Sequence, residues 1–152
     1  NDHICIKESK SMDKFYPILN ENKRKHSVKP THSLKELNRL QELYPDEVKL
    51  FLTYNGNDAI GGAVIFSANK NTALLFYNMV QEDFKSMQIG SYQVHNAIKW
   101  SMENGFKYLD LGVSQMYGTD RPLDPKLSLI NFKEEFGAKT MVRTAYEKKL
   151  LQ

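Results

Sequence analysis

Val80-Gln81-Glu82-Asp83-Phe84-Lys85-Ser86-Met87-Gln88-Ile89-Gly90-Ser91 is the stretch on which the fold turns. It closes an apolar run, crosses a polar connection and opens a helical pattern, so it reads as strand end, tight loop and helix start. Backbone N–H groups at a helix N-terminus have no partner within the helix, and the helix dipole adds positive potential there. Together they suit an anion such as a pyrophosphate, and Gly90 lets a ligand come close to the backbone. Spacing alone leaves the segment open between an ordinary strand–helix connection and a phosphate cradle.

Upstream, Phe15, Ile18, Leu19 and Asn22 recur at helical spacing and predict a helix over 12–25. Ser33-Leu34-Lys35-Glu36 is a capping box. It opens a helix that turns Leu34, Leu37, Leu40 and Leu43 inward and ends before Pro45. The period then changes to two. Strands from Val48, from Ile60 to Ser67 and from Thr72 to Val80, joined by Asn55–Asp58 and Asn69–Asn71, form an antiparallel meander. Downstream, a helix from about Ile89 to Asn104 buries Val94, Ala97, Ile98 and Ser101 and stops at Gly105. Lys107 to Val113 is a strand, Leu127 to Phe136 a helix stopped by Gly137, and Thr140 to Tyr146 a last strand. The expected order is α-α-β-β-β-α-β-α-β: an α/β (α+β) fold with a mixed, mostly antiparallel sheet flanked by helices.

At 152 residues and 17.6 kDa, one domain over 1–152 is the natural count. Hydrophobic residues at 41% and charged residues at 26% exclude collagen-like and disordered classes. The single Cys5 excludes an internal disulfide and fits a reducing, cytoplasmic compartment. No apolar run reaches the roughly 18 residues of a membrane span, and no metal-ligand spacing occurs, so no metal is expected. The chain opens on Asn1 rather than Met, which reads as a piece of a longer protein or a processed chain. Net charge is +3, and residues 1–45 hold the excess, with nine Lys/Arg against six Asp/Glu. Lys23-Arg24-Lys25-His26 is its centre, either a solvated helix face or an anion site.

The opening stretch resembles the acyl-CoA loop of GNAT N-acyltransferases, where a strand ending in Val continues through Arg/Gln-x-x-Gly-x-Gly/Ala into a helix. Val80 takes the strand end, Lys85 the Arg/Gln position, and Ile89-Gly90-Ser91 the helix entry. Gln88 stands where the first Gly is usual. Leu109-Asp110-Leu111-Gly112 paired with Phe132-Lys133-Glu134-Glu135-Phe136-Gly137, together with Phe15-Tyr16 and Lys29-Pro30-Thr31-His32-Ser33-Leu34, resembles the FemAB-like branch of that superfamily. Members of that branch commonly carry two such domains, which would make this chain the C-terminal half of a longer protein.

The resemblance implies transfer of an acyl group, acetyl above all, from acetyl-CoA or another acyl-CoA to a small-molecule or peptide amine by direct attack. It implies Val80, Lys85, Met87, Gln88, Ile89, Gly90, Ser91 and Phe132 as donor-binding residues. Lys133 stands where many GNAT enzymes place a Tyr and is implied to stabilise negative charge at the reaction centre. Asp110 is a base, an orienting group or a structural partner. Tyr16, His32 and Lys25 are candidates for the acceptor. Two rival readings remain: a FemAB-like transferase using aminoacyl-tRNA, and a non-catalytic GNAT-like binding domain.

Overall fold

The computed structural model describes residues 4–67, 69–116, 124–142 and 148. In chain order the elements are β1 (Ile4–Ser9), α1 (Met12–Lys25), α2 (Leu34–Leu43), β2 (Val48–Asn55), β3 (Asp58–Phe66), β4 (Thr72–Val80), a 3₁₀ helix (Glu82–Met87), α3 (Ile89–Glu103), β5 (Tyr108–Asp110) and α4 (Leu127–Glu134). The strands form one sheet in the order β1-β2-β3-β4-β5. The first four are antiparallel, and β5 joins β4 in parallel. No helix among the described residues is long and apolar enough to cross a membrane.

Alternation in the strands divides the core. Leu50, Leu52, Val64 and Tyr77 meet Met12, Phe15 and Leu19 of α1 and Leu37 of α2 on one face. Phe51, Ala63, Ile65, Ala73 and Leu75 meet Val94 and Ala97 of α3 on the other, with Phe132 and Phe136 packed against them. Both faces are thus covered, which explains the nearly continuous burial of β3. Gly61 and Gly62 let both layers close on it. A Cβ on Gly62 would stand 2.8 Å from the Phe15 ring, and one on Gly61 would stand 2.9 Å from the Met79 carbonyl oxygen.

The expected helices and meander are present, and the Ser33–Glu36 capping box forms in both directions. Gly105 and Gly137 both take positive φ at their helix ends. Four expectations need correction. β1 was not foreseen. Leu43 is exposed rather than inward, because only Leu37 of its stripe reaches the core fully. The strand expected over Lys107–Val113 is cut to Tyr108–Asp110, because Asp110 accepts the Gly112 N–H at 2.7 Å and Gly112 turns away at φ 74°. Of the expected last strand, residues 140–142 are irregular and 143–146 lie outside the described residues.

Candidate active site

β4 and β5 pair only from Thr72↔Tyr108 to Leu74↔Asp110. Beyond that point β4 runs on through Val80 with no strand among the described residues along this edge, while β5 bends away at Gly112. A register shift between Val64 and Ile65 of β3 leaves Phe76 bulged at the same level. Between the diverging strands lies a cavity of about 490 Å³. Its walls are Leu74–Met79 of β4, Leu111–Val113 after β5, Val94 of α3, Leu129, Phe132 and Lys133 of α4, and Lys23 and Thr31. A wider hollow of about 690 Å³ is lined, among the described residues, by α2 alone (Leu34, Lys35, Asn38, Arg39, Glu42).

At the far end of β4, Gln88 joins the 3₁₀ helix to α3 in the left-handed conformation, at φ 55° and ψ 29°. A glycine adopts that conformation most easily, so Gln88, which stands where the first Gly is usual, adopts the backbone that glycine would supply. Its side chain belongs to an exposed residue. α3 then starts with Ile89 buried against Ile60 and Val80, and the N–H groups of its first turn lack intrahelical acceptors. A Cβ added at Gly90 would meet Asn78 Nδ2 at 3.9 Å and Val80 Cγ2 at 4.0 Å, ordinary contact without a clash. Asn78 ties this turn to the cavity wall, since its Nδ2 donates to the Gly90 carbonyl at 3.1 Å. Its Oδ1 is buried and has no hydrogen-bond partner among the described residues.

Lys133 Nζ donates to Gly112 O at 2.7 Å, Val113 O at 2.9 Å and Ser114 Oγ at 2.8 Å. An ammonium has three N–H donors, so all are engaged with the chain leaving β5. Burial pushes its pKa down, and the Asp110 carboxylate pushes it back up.

Lys85 and Lys25 meet on Glu82, with Nζ–Oε2 distances of 2.7 and 2.6 Å, and Lys25 also reaches Glu21 at 2.9 Å. The last turn of α1 is thereby joined to the connection before α3. Asn22 adds a second tie, donating to the Val80 carbonyl at 2.8 Å. Hydrogen bonds from Lys25 and then Lys85 hold the Glu82 carboxyl down to about 2, from an ordinary value of 4.5. A depressed carboxyl contributes stability that is present above its unfolded value and lost as pH falls through the folded one. Between pH 4.5 and 2 the wild type is therefore expected to lose more stability than Glu82→Gln, read from urea midpoints across the two pH values. Parallel losses would show that the ion pairs add nothing.

The remaining candidates are placed as follows. Tyr16 packs partly buried against the α1-side core. His32 Nδ1 lies 3.3 Å from Tyr77 Oη, its ring edge-on to Tyr77. Met87 and Gln88 are exposed on the connection, and Ser91 is half-buried in the first turn of α3. The structure thus brings Phe132 and Lys133 to the cavity, and Val80 to Ser91 to its β4 end. Lys25 stands at the connection rather than on the cavity wall. Lys23, first of the basic run singled out in the sequence, does line the cavity, whereas sequence reasoning missed Tyr77 and Asn78. Asn78 carried a readable signal, a polar residue inside the apolar run from Ala73 to Val80.

A family model described as an acetyltransferase (GNAT) domain matches residues 3–121. No curated protein matches the chain. Among solved structures, an acetyltransferase from Streptococcus agalactiae is similar at 12% identity and TM-score 0.68, covering 98% of this chain and 91% of that one. Aminoglycoside N-acetyltransferase AAC(6')-Iy in complex with CoA is similar at 13% identity and TM-score 0.68, covering 98% and 96%. An aminoglycoside acetyltransferase from an uncultured soil metagenomic sample is similar at 14% identity and TM-score 0.66, covering 98% and 97%. At such identities these likenesses concern the fold.

Proposed function

The chain belongs to the acetyltransferase (GNAT) family, and on that premise we propose that it moves an acyl group, acetyl above all, from acyl-CoA to an amine by direct attack. The observation that carries this reading is the divergence of β4 from β5 beside the first turn of α3. The features there fit a ligand with amide and phosphate groups. They are a strand edge unpaired among the described residues, the buried Asn78 Oδ1 with no partner among them, helix N–H groups without intrahelical acceptors, and a glycine whose Cβ position meets its neighbours only at ordinary contact distance. When bound, the donor supplies an activated acyl carbon. The amine forms a C–N bond to it as the C–S bond breaks; the amine loses one proton and the thiolate gains one.

Direct attack fits the cavity, which presents no Cys or Ser nucleophile among its described lining residues. Cys5 lies on β1, at the opposite edge of the sheet. Phe132 on the wall closes the acyl end against water. Lys133 is a positioning residue in this reading: its hydrogen bonds fix the bend after β5 that holds the cavity open. Phe132 and Lys133 standing together on the wall also support placing the chain in the FemAB-like branch.

Calorimetry with acetyl-CoA tests the donor. Binding in the micromolar range is expected, and no heat at millimolar ligand would end the acyl-CoA reading. Binding of an aminoacyl-tRNA by a protein that ignores acetyl-CoA would move it to the other donor. Gly90→Val sharpens the test. Its added atoms start from ordinary contact distance, and valine is no worse than glycine in a helix. Melting temperature is expected to hold while acetyl-CoA affinity falls about tenfold or more, roughly 1.4 kcal/mol. A lower melting temperature with affinity intact would make Gly90 purely structural.

A further inference from the structure

Resting on the acyl-transfer reading, we propose that the amine's proton leaves through Tyr77 and His32: the attacking nitrogen gives its proton to Tyr77 Oη as the Tyr77 proton passes to His32 Nδ1. Direct attack needs a proton acceptor within hydrogen-bond reach of the nitrogen. The described residues that line the cavity include no Asp, Glu, His or Cys. Asp110, foreseen as a candidate base, accepts the Gly112 N–H and is not among them. Lys133 spends its three N–H groups on Gly112 O, Val113 O and Ser114 Oγ, and an ammonium accepts nothing. Two hydroxyls line the cavity, those of Thr31 and Tyr77. A hydroxyl relays a proton only where a base stands behind it. Behind Tyr77 stands His32, with Nδ1 3.3 Å from Oη.

The surroundings hold that pair in place. The His32 ring meets Phe66 at 6.0 Å, Phe76 at 5.4 Å and Tyr77 at 6.2 Å between centroids, so three rings fix the direction of Nδ1. Thr31 lines the cavity and its side chain hydrogen-bonds the Tyr77 hydroxyl, which puts Oη at the cavity wall. Burial pushes the Tyr77 pKa up, against the hydrogen bonds from Thr31 and His32, so Tyr77 stays a hydroxyl and carries protons rather than surrendering one for good. Glu36 of α2 faces the His32 charge, Tyr16 of α1 faces Tyr77, and Lys23 of α1 places its Nζ 6.0 Å from the Tyr77 ring centroid. β3 contributes the uncharged Phe66. His32 is half-buried, so water reaches the ring and takes the proton on. As the C–N bond forms and the C–S bond breaks, nitrogen loses one proton to this path and the thiolate gains one from water.

The test uses the whole chain. Imidazole nitrogen shifts in the NMR spectrum read the His32 tautomer, free and with acetyl-CoA bound. The neutral ring is expected to carry its proton on Nε2, leaving Nδ1 to accept; a proton on Nδ1 overturns the proposal. Thiol release from acetyl-CoA is then followed across pH with benzylamine, with glycinamide and with water alone as the nucleophile. His32→Gln and Tyr77→Phe are each expected to lower kcat/KM about a hundredfold and to flatten the acid limb of its pH profile, at unchanged acetyl-CoA affinity. The double variant is expected to lose no more than either single one, and added imidazole to restore turnover in His32→Ala. Where Tyr77→Phe lowers the melting temperature, His32→Gln carries the comparison. An acid limb that survives His32→Gln, additive losses in the double variant, or no restoration by imidazole each overturns the proposal. No acetyl-CoA binding, or no thiol release with any of the three nucleophiles, defeats the acyl-transfer reading itself, and the tautomer is still read.

Discussion

Lys133→Met is expected to lower stability by about 2 kcal/mol and to weaken acetyl-CoA binding at least several-fold. The methionine keeps most of the stem's packing beside Phe132 but removes a charged donor from Gly112 O, Val113 O and Ser114 Oγ together. Those acceptors set the bend at which β5 leaves β4. Without the ammonium the bend relaxes and the cavity wall with it. Lys133→Arg is expected to rescue poorly, because a planar guanidinium fork cannot cap acceptors arranged around a tetrahedral ammonium. Thermal melts and calorimetry on the three proteins check this. Lost turnover with unchanged melting and donor binding would instead put Lys133 on the reacting atoms.

Gly61→Val is the second large effect, expected at about 3 kcal/mol of lost stability. A Cβ there would stand 2.5 Å from Gln93 Nε2 and 2.9 Å from the Met79 carbonyl oxygen. Backbone cannot yield as a side-chain tip can, so the second contact decides the sign. Gln93 is also the buried tether of α3, donating to Thr53 Oγ1 at 2.8 Å and to Met79 O at 3.3 Å. Valine at 61 breaks the tether and lifts the first turns of α3 from β3 and β4. Donor affinity should therefore fall with the urea midpoint. A midpoint within experimental error of wild type would refute the crowding argument.

What could be read in the sequence was local. The capping box, the Asn-Gly turn, the glycine stops and the change of period from helix to strand each depend on a few neighbouring residues, and each is present in the structure. β1 escaped because Ile4 and Ile6 alternate with Cys5 over too short a run, and its pairing with Leu50–Asn55 is a long-range fact. β5 was overdrawn because Leu109 and Leu111 look like one strand, whereas Asp110 and Gly112 fold the chain over between them. Gln93 was passed over as a polar helix residue, yet it is 1% exposed because Thr53 and Met79 wait for it across the sheet. The strand–turn–helix path of Val80–Ser91 was legible as a motif. The basic run at Lys23 was legible too, but its place against Tyr77 on the cavity wall was not, since that depends on how α1 lies across β4.

The short β4–β5 register has a consequence for motion. Among the described residues β5 is held to the sheet only over Thr72–Leu74, which puts its amides at the low end of local opening free energies, and the antiparallel meander at the high end. Native-state hydrogen exchange should run fastest through Tyr108–Asp110 and α4 in the free protein. Any ligand that bridges the two diverging strands closes that gap from outside, and slows exchange there before anywhere else.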